Sequence, residues 1–217
     1  MAKRVQAPDR IAGLVLAAGQ STRMGRNKLL CSLKGAPLIA HAVDAALDAQ
    51  LKPVVVVTGH QAAAVGDALR DRAVRFADNP RFASGMASSL AAGLRELMHY
   101  APHTRAALVM LGDMPHVRAA HLARMIAAFE QAEADAICVP EHEGRRGNPV
   151  LWPARDFAAL ASLTGDVGGR ALLQAHAARV QRVAMADDGV LIDVDAPDLL
   201  AALTADPADE VGVESRA

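Results

Sequence analysis

Apolar residues along this chain fall into short, strand-length runs that alternate with alanine-rich stretches of helical period. Residues 11–17 read as a first strand and residues 37–50 as a helix, with Pro37 suited to a first helical turn. Val54–Thr58 is rich in valine and apolar on both faces, the pattern of a central parallel strand. Helix 61–71, strand 74–77, helix 87–98, strand 106–111, helix 119–132 and strand 136–140 continue the alternation. This βαβα rhythm predicts an α/β fold: a three-layer, Rossmann-like, mostly parallel sheet with helices on both faces.

The rhythm changes between Glu141 and Asp166, where short apolar pieces and turn residues could extend the sheet or form a small lid. Residues 168–178 look helical, 180–185 and 190–194 strand-like, and 197–203 a last helix. Without a repeat or linker, residues 10–203 are expected to form one domain, in a first part 10–140 and a second part 141–203. The acidic stretch 204–217 contains Pro207, lacks an apolar period and is expected to be disordered.

Composition narrows the picture. The chain has 217 residues, 52% hydrophobic but only 3% aromatic, so its core must rest on Ala, Val and Leu. A formal charge of −1 argues against a nucleic-acid or anionic-membrane partner and requires any anion site to be a local concentration of cations. Cys31 and Cys138 form neither a disulfide framework nor metal-ligand spacing and read as buried small residues. Residues 1–10 lack the apolar core of a signal peptide, and no apolar run is long enough to span a membrane. A soluble, cytoplasmic protein is expected.

The most informative stretch is Leu16-Ala-Ala-Gly-Gln-Ser-Thr-Arg-Met-Gly-Arg-Asn-Lys28, directly after the first strand. Gly19 and Gly25 allow close approach of backbone to an anion, and Arg23, Arg26 and Lys28 add charge where phosphates would lie. The loop is not a P-loop, because Gly25 is followed by Arg26 and Asn27, nor the Gly-x-Gly-x-x-Gly dinucleotide fingerprint. A polyphosphate cradle is the reading, against an ordinary glycine-rich turn with a solvated basic face.

Further candidates cluster where strands end, the usual ligand edge of an open α/β sheet. Thr58 and Gly59 close the second strand, and Gly112 and Asp113 follow the fourth. Asp113 suits Mg²⁺, which prefers a few carboxylates plus phosphate oxygens, or else an Asx turn or helix cap. Asp193 and Asp195, separated by Val194, would share one face of a strand end and favour a cation between them. Asp193 is the expected second metal contact, with Asp195 as helix cap or outer partner. Asn79, Gly85, Met86, Ser88 and Ser89 would line a polar cradle, with plain N-capping by Ser88 as the alternative. Arg146, Gly147, Asn148 and Pro149, then Asp166 and Arg170, would face a second substrate or be loop chemistry only. The histidines form no site, with His41, His121 and His176 expected on helix surfaces, and no Gly-x-Ser-x-Gly elbow is present.

Leu-Ala-Ala-Gly-x-Ser-x-Arg-Met-Gly-x-x-Lys resembles the signature of the sugar-nucleotidyltransferase-like NTP transferases, and Gly112-Asp-Met-Pro115 resembles their metal-binding motif. Asn79-Pro-x4-Gly-Met-x-Ser-Ser-Leu90 is similar to a third stretch of that family. The segments at 145–149 and 165–170, Asp-Val-Asp-Ala-Pro and Ala18 resemble the molybdenum cofactor cytidylyltransferase branch, although Asn148 replaces a histidine of its motif. The resemblance implies a nucleotide-diphospho-sugar transferase type of fold, with nucleotide on 10–140 and acceptor on 141–203. It implies Mg²⁺-dependent transfer of CMP from CTP to the terminal phosphate of molybdopterin, with onward delivery to a molybdoenzyme or its chaperone. Leu16, Ala17, Ala18, Gly19, Gln20, Ser21, Thr22, Arg23, Met24, Gly25 and Lys28 would hold the nucleotide, Arg23 and Lys28 would stabilise phosphate charge, and Asp113 would hold the metal. Guanylylation of molybdopterin, transfer to a sugar or alcohol phosphate, and a binding protein without catalysis remain open.

Overall fold

Alternate residues of the first strand serve two different cores: Val15 packs into one fully buried cluster, Ala12 and Leu14 into another. That period of two is what a sheet covered on both faces requires. The computed structural model describes residues 10–21, 25–165 and 168–204. β1 (Arg10–Leu16) is followed by a small hairpin of β2 (Ser32–Leu33) and β3 (Ala36–Pro37), then α1 (Leu38–Asp48), β4 (Val54–Thr58), α2 (Ala62–Ala68), β5 (Arg75–Asp78), α3 (Met86–Tyr100) and β6 (Thr104–Leu111). α4 (Ala119–Gln131), β7 (Ile137–His142), β8 (Arg145–Arg146), β9 (Val150–Pro153), α5 (Phe157–Ala161), α6 (Arg170–Ala175), β10 (Val180–Ala184) and α7 (Pro197–Thr204) complete the described chain.

Eight strands form the main sheet in the order β10-β7-β9-β6-β1-β4-β5, with β8 paired to β7. β1 runs parallel to β4 and β6, β4 to β5, and β7 to β10. The expected parallel α/β sheet is present. β9 is the departure: it lies antiparallel between β6 and β7, so the segment after Glu141 extends the sheet. Residues 190–194, read as strand-like, form no strand; a 3-10 turn at Asp188–Val190 leads into irregular chain. Thr204, placed in the tail by its composition, ends α7, its hydroxyl donating to the Leu200 carbonyl at 2.8 Å. The rest of the expected tail lies outside the described residues.

Helices α1, α2 and α4 bury Ile39, Val43, Val65, Leu122, Met125 and Phe129 on one face of the sheet. α3 and α5 bury Leu90, Leu94, Leu97 and Leu160 on the other, with Trp152 of β9. With few aromatics available, α3 approaches the sheet through Gly93, where an added Cβ would lie 2.4 Å from Leu14 Cδ1 and 2.6 Å from Val57 Cγ2. Gly93→Val is therefore expected to destabilise the fold by about 1–3 kcal/mol; an unchanged urea midpoint would contradict this packing. No helix among the described residues is long and apolar enough to cross a membrane.

Candidate functional site

The chain leaves β1 for β4 and β5 on one side, then returns to place β6 on β1's other side. A crevice is expected where the strand order reverses, beyond the carboxyl ends. A cavity of about 440 Å³ opens there, with Leu16 and Leu111 at the ends of β1 and β6 in its wall. Ala18, Gly19, Ser21 and Lys28 line it from the first loop, and Gly85, Met86 and Ser89 from the entrance to α3. Asp113, Asp193 and Asp195 supply the acidic wall.

The first loop is fixed by its own polar groups. Ser21 (φ 53°) and Gly25 (φ 65°) adopt left-handed backbone, a conformation glycine tolerates and serine seldom takes. The Lys28 N–H donates to Ser21 Oγ at 3.2 Å, and Asn27 Oδ1 accepts from the Leu29 N–H at 3.1 Å. Asn27 is 4% exposed, and its Nδ2 has no hydrogen-bond partner among the described residues. Thr22, Arg23 and Met24 lie outside the described residues.

Lys28 is the centre of the electrostatics. Its Nζ lies 2.6 Å from Asp113 Oδ2 and 2.6 Å from Asp195 Oδ1. Burial works against the ammonium, but the charges and hydrogen bonds of Asp113 and Asp195 outweigh it and hold the Lys28 pKa above its ordinary value. Asp113, Asp193 and Asp195 each bring one carboxylate oxygen within 4.8 Å of the others. Asp113 Oδ1 is buried without a hydrogen-bond partner among the described residues. Three convergent carboxylates, one with an unsatisfied buried oxygen, fit a hard divalent cation.

Asp195 therefore does more than the capping role the sequence allowed: it pairs with Lys28 and completes the acidic group. The geometry behind that reading also changes, because residues 193–195 are irregular chain and not a strand. Val194 is nonetheless wholly buried, and its N–H donates to the Asp113 carbonyl at 2.9 Å, which brings the three aspartates together. Asp193 is the electrostatic cost. Burial first, then the charges of Asp195 and Asp113, push its carboxyl above the usual carboxylate range. Below the ordinary carboxylate pKa the folded and unfolded forms are both protonated and the penalty vanishes; it grows as pH rises through the raised value. Asp193→Asn is thus expected to raise the melting temperature of the metal-free protein at neutral pH, with the gain disappearing in acid. Melting curves across that range check this, and a variant that melts below the parent at neutral pH would contradict it.

Other candidates occupy different places. Asn79 is buried, and its Nδ2 donates to Ser88 Oγ at 2.9 Å and Ser89 Oγ at 3.0 Å, which ties the cavity wall together. Gly85, not Ser88, sits at the N-cap of α3, and Ser88 Oγ–H faces the Gly85 carbonyl at 2.8 Å. Ala17, Gln20, Gly25, Thr58, Gly59 and Gly112 do not line the cavity. Gly59 lets Phe82 and Ala18 meet, since a Cβ there would be 2.7 Å from Phe82 Cβ and 2.9 Å from Ala18 Cβ. Gly112 likewise allows Ile39 to pack, at 2.5 Å from an added Cβ.

Arg146, Gly147, Asn148, Pro149 and Arg170 are also absent from the cavity lining. Gly147 and Asn148 brace the turn that leads to Asp193: the Asn148 N–H donates to the Val190 carbonyl at 2.9 Å, and a Cβ on Gly147 would lie 2.1 Å from that oxygen. Asp166 lies outside the described residues. Phe82 and Leu29 line the cavity without having been singled out; Phe82, one of four phenylalanines, stood inside a motif read for its polar members. His121 is a correction: at 6% exposed it is buried, with Nδ1 accepting from the Arg118 N–H and Nε2 3.1 Å from Asp187 Oδ1. Cys31 and Cys138 are buried, and burial pushes the Cys138 thiol up to about 11.

Comparison with known proteins gives this geometry a setting. The sequence model of the MobA-like NTP transferase domain matches residues 13–180. Nicotine blue oxidoreductase of Paenarthrobacter nicotinovorans is 30% identical over 192 residues, 85% of this chain and 92% of that protein. The bifunctional protein GlmU of Anaeromyxobacter sp. (strain K) is 38% identical over 130 residues, 57% of this chain but only 26% of GlmU, so the likeness spans about a quarter of that protein's length. The crystal structure of Rv0371c from Mycobacterium tuberculosis H37Rv superposes with a TM-score of 0.77 at 28% identity, covering 91% of this chain and 98% of that one. The same protein has been solved in complex with manganese, with a TM-score of 0.73, 28% identity and coverage of 90% and 98%.

Proposed function

The chain belongs to the MobA-like NTP transferase family, and from that premise we propose that it transfers CMP from CTP to the terminal phosphate of a molybdopterin-type cofactor. The observation that carries the reading is the Lys28 ammonium, held 2.6 Å from Asp113 and 2.6 Å from Asp195 on the wall of the strand-end cavity. A pure binding pocket has little need of a lysine set among three carboxylates, whereas phosphoryl chemistry needs both signs of charge in one place.

In this reading an oxygen of the acceptor phosphate attacks the α-phosphorus of CTP. The new P–O bond forms as the bond from the α-phosphorus to the bridging oxygen breaks, and pyrophosphate leaves with that electron pair. The acceptor phosphate is already ionised at neutral pH, so no general base is required. Asp113, with Asp193 and Asp195, would hold a divalent ion, expected to be Mg²⁺, which supplies charge neutralisation at the α-phosphate. Gly19 and Ser21, which line the cavity from the first loop, would hold the triphosphate, with Arg23 as the expected further phosphate contact. Lys28 would stabilise charge on the triphosphate and on the departing pyrophosphate. The apolar side chains of Leu16, Ala18, Phe82 and Met86 would flank the nucleoside, with Ser89 as a polar contact. The manganese complex of Rv0371c supports a divalent ion in this fold.

The test is pyrophosphate release from CTP, GTP, ATP and UTP, with molybdopterin cofactor as one acceptor and sugar phosphates as others. Release with CTP and the molybdopterin cofactor alone is expected. Release with GTP would keep the reaction class and overturn the base assignment, and release with a sugar phosphate would reassign the acceptor. Nucleotide binding without turnover on any acceptor would make the chain a binding protein.

A further inference from the structure

Behind the wall of the catalytic cavity, a second cleft of about 330 Å³ lies between the start of α3 and the end of α5. Arg81 and Arg95 both line it, with Ser84, Ser162 and Thr164, and no carboxylate among the described residues shares the lining. Neither guanidinium makes an ion pair among the described residues, so both are available to an anion from solution. Two like charges border one concavity in a chain whose net charge is −1.

We propose that this cleft is a binding site for a phosphate monoester, distinct from the nucleotide site. Two guanidinium forks can each present paired N–H donors to tetrahedral oxyanion oxygens. The cleft is larger than a phosphate group needs, and Ala91 and Leu163 add apolar wall where the organic part of a small ester would rest. Its lining of arginines, hydroxyl residues and small apolar residues suits binding of an anion.

The site is wired to the catalytic cavity by short connections. Ser88 lines the cleft and Ser89 the cavity, and Asn79 Nδ2 donates to both. Arg81 belongs to the same turn: its N–H donates to Asn79 Oδ1 at 3.1 Å, and its carbonyl accepts from Ser88 Oγ at 3.0 Å. On the opposite wall, the Gly165 carbonyl accepts from the Ala87 N–H at 3.2 Å. An anion that orders Arg81 therefore bears on the turn that shapes the nucleotide pocket.

Amide NMR of the metal-free chain, titrated with glycerol 3-phosphate and separately with inorganic phosphate, tests the site directly. Saturable shifts at Ser162, Thr164 and Gly165 are expected with both probes and tighter with the ester. In the Arg81→Ser/Arg95→Ser double variant the affinity should fall by about tenfold or more, with the spectrum otherwise that of a folded protein. Equal affinity for the two probes would overturn the ester assignment and leave a bare anion site. Shifts confined to Ser21, Lys28 and their neighbours, or shifts that survive in the double variant, would overturn the cleft as a site. Because the readout is binding at Ser162, Thr164 and Gly165, it does not depend on which nucleotide the enzyme transfers.

Discussion

Replacing Asp113 with alanine is expected to lower nucleotidyl transfer by on the order of 10³-fold while the protein stays folded. Asp113 follows Gly112 at the end of β6, where the Gly112 N–H donates to the Leu16 carbonyl at 3.0 Å, so its backbone is set by the central sheet. One of its oxygens meets Lys28 and the other is buried without a partner among the described residues, so truncation removes a charge that the fold satisfies only in part. Lys28 keeps Asp195 as a second partner at 2.6 Å, so the loss should appear mainly in turnover and in Mn²⁺ affinity and only weakly in the melting curve. Initial rates beside calorimetric Mn²⁺ titration decide the matter. Near-normal turnover would remove Asp113 from the mechanism, and a collapsed melting curve would make its role structural.

The Lys28→Met variant should move two quantities in opposite directions. Transfer is expected to fall by on the order of 10²-fold, because charge on the triphosphate and departing pyrophosphate loses its ammonium partner. Mn²⁺ binding to the nucleotide-free protein should tighten, because in the parent the ammonium already occupies Asp113 and Asp195. Lysine and a divalent ion would compete for the same carboxylates, so a nucleotide that draws Lys28 onto its phosphates would clear the acidic group for the ion. Unchanged or weaker Mn²⁺ binding in Lys28→Met would contradict this competition. Methionine retains most of the apolar stem, which keeps packing changes out of the comparison.

Much of the architecture was legible because long-range order in a parallel sheet follows from local pattern. Valines at 54–57 are apolar on both faces only because helices cover both, and the two buried clusters divide them as that pattern required. β9 was not legible: four residues ending in a proline carry too little period to declare a strand, and its partners β6 and β7 lie on either side of it. In the site, Lys28 and Asp113 could be singled out from glycines and charges beside strand ends. The part played by Asp195 could not, since an aspartate two residues before a helix-initiating proline has the local character of a cap. Its partner Lys28 is 167 positions away, and no local rule reaches that far. Gly59 and Gly112 show the reverse difficulty. A glycine at a strand end can serve a ligand or a neighbouring side chain, and only the positions of Phe82 and Ile39 reveal the packing use.

The region matched by the family model stops at residue 180, yet Asp193 and Asp195 lie beyond it. They are carried by a segment whose anchor is a small separate cluster, where Val194 and Leu200 meet Cys31, Leu33 and Leu38 of the β2–β3 hairpin and α1. On the ribosome the main sheet can therefore assemble while the acidic group still lacks two of its three members. A nascent chain at that stage would have its main sheet but a strand-end cavity with only one of its three aspartates. A proteolytic nick between β10 and α7 would loosen the same segment in the mature protein, at a cost in stability as well, since Met185 and Val190 belong to the main buried cluster. Completion of the acidic group thus depends on the last described segment docking against Leu33 and Leu38, a joint that the main sheet does not itself supply.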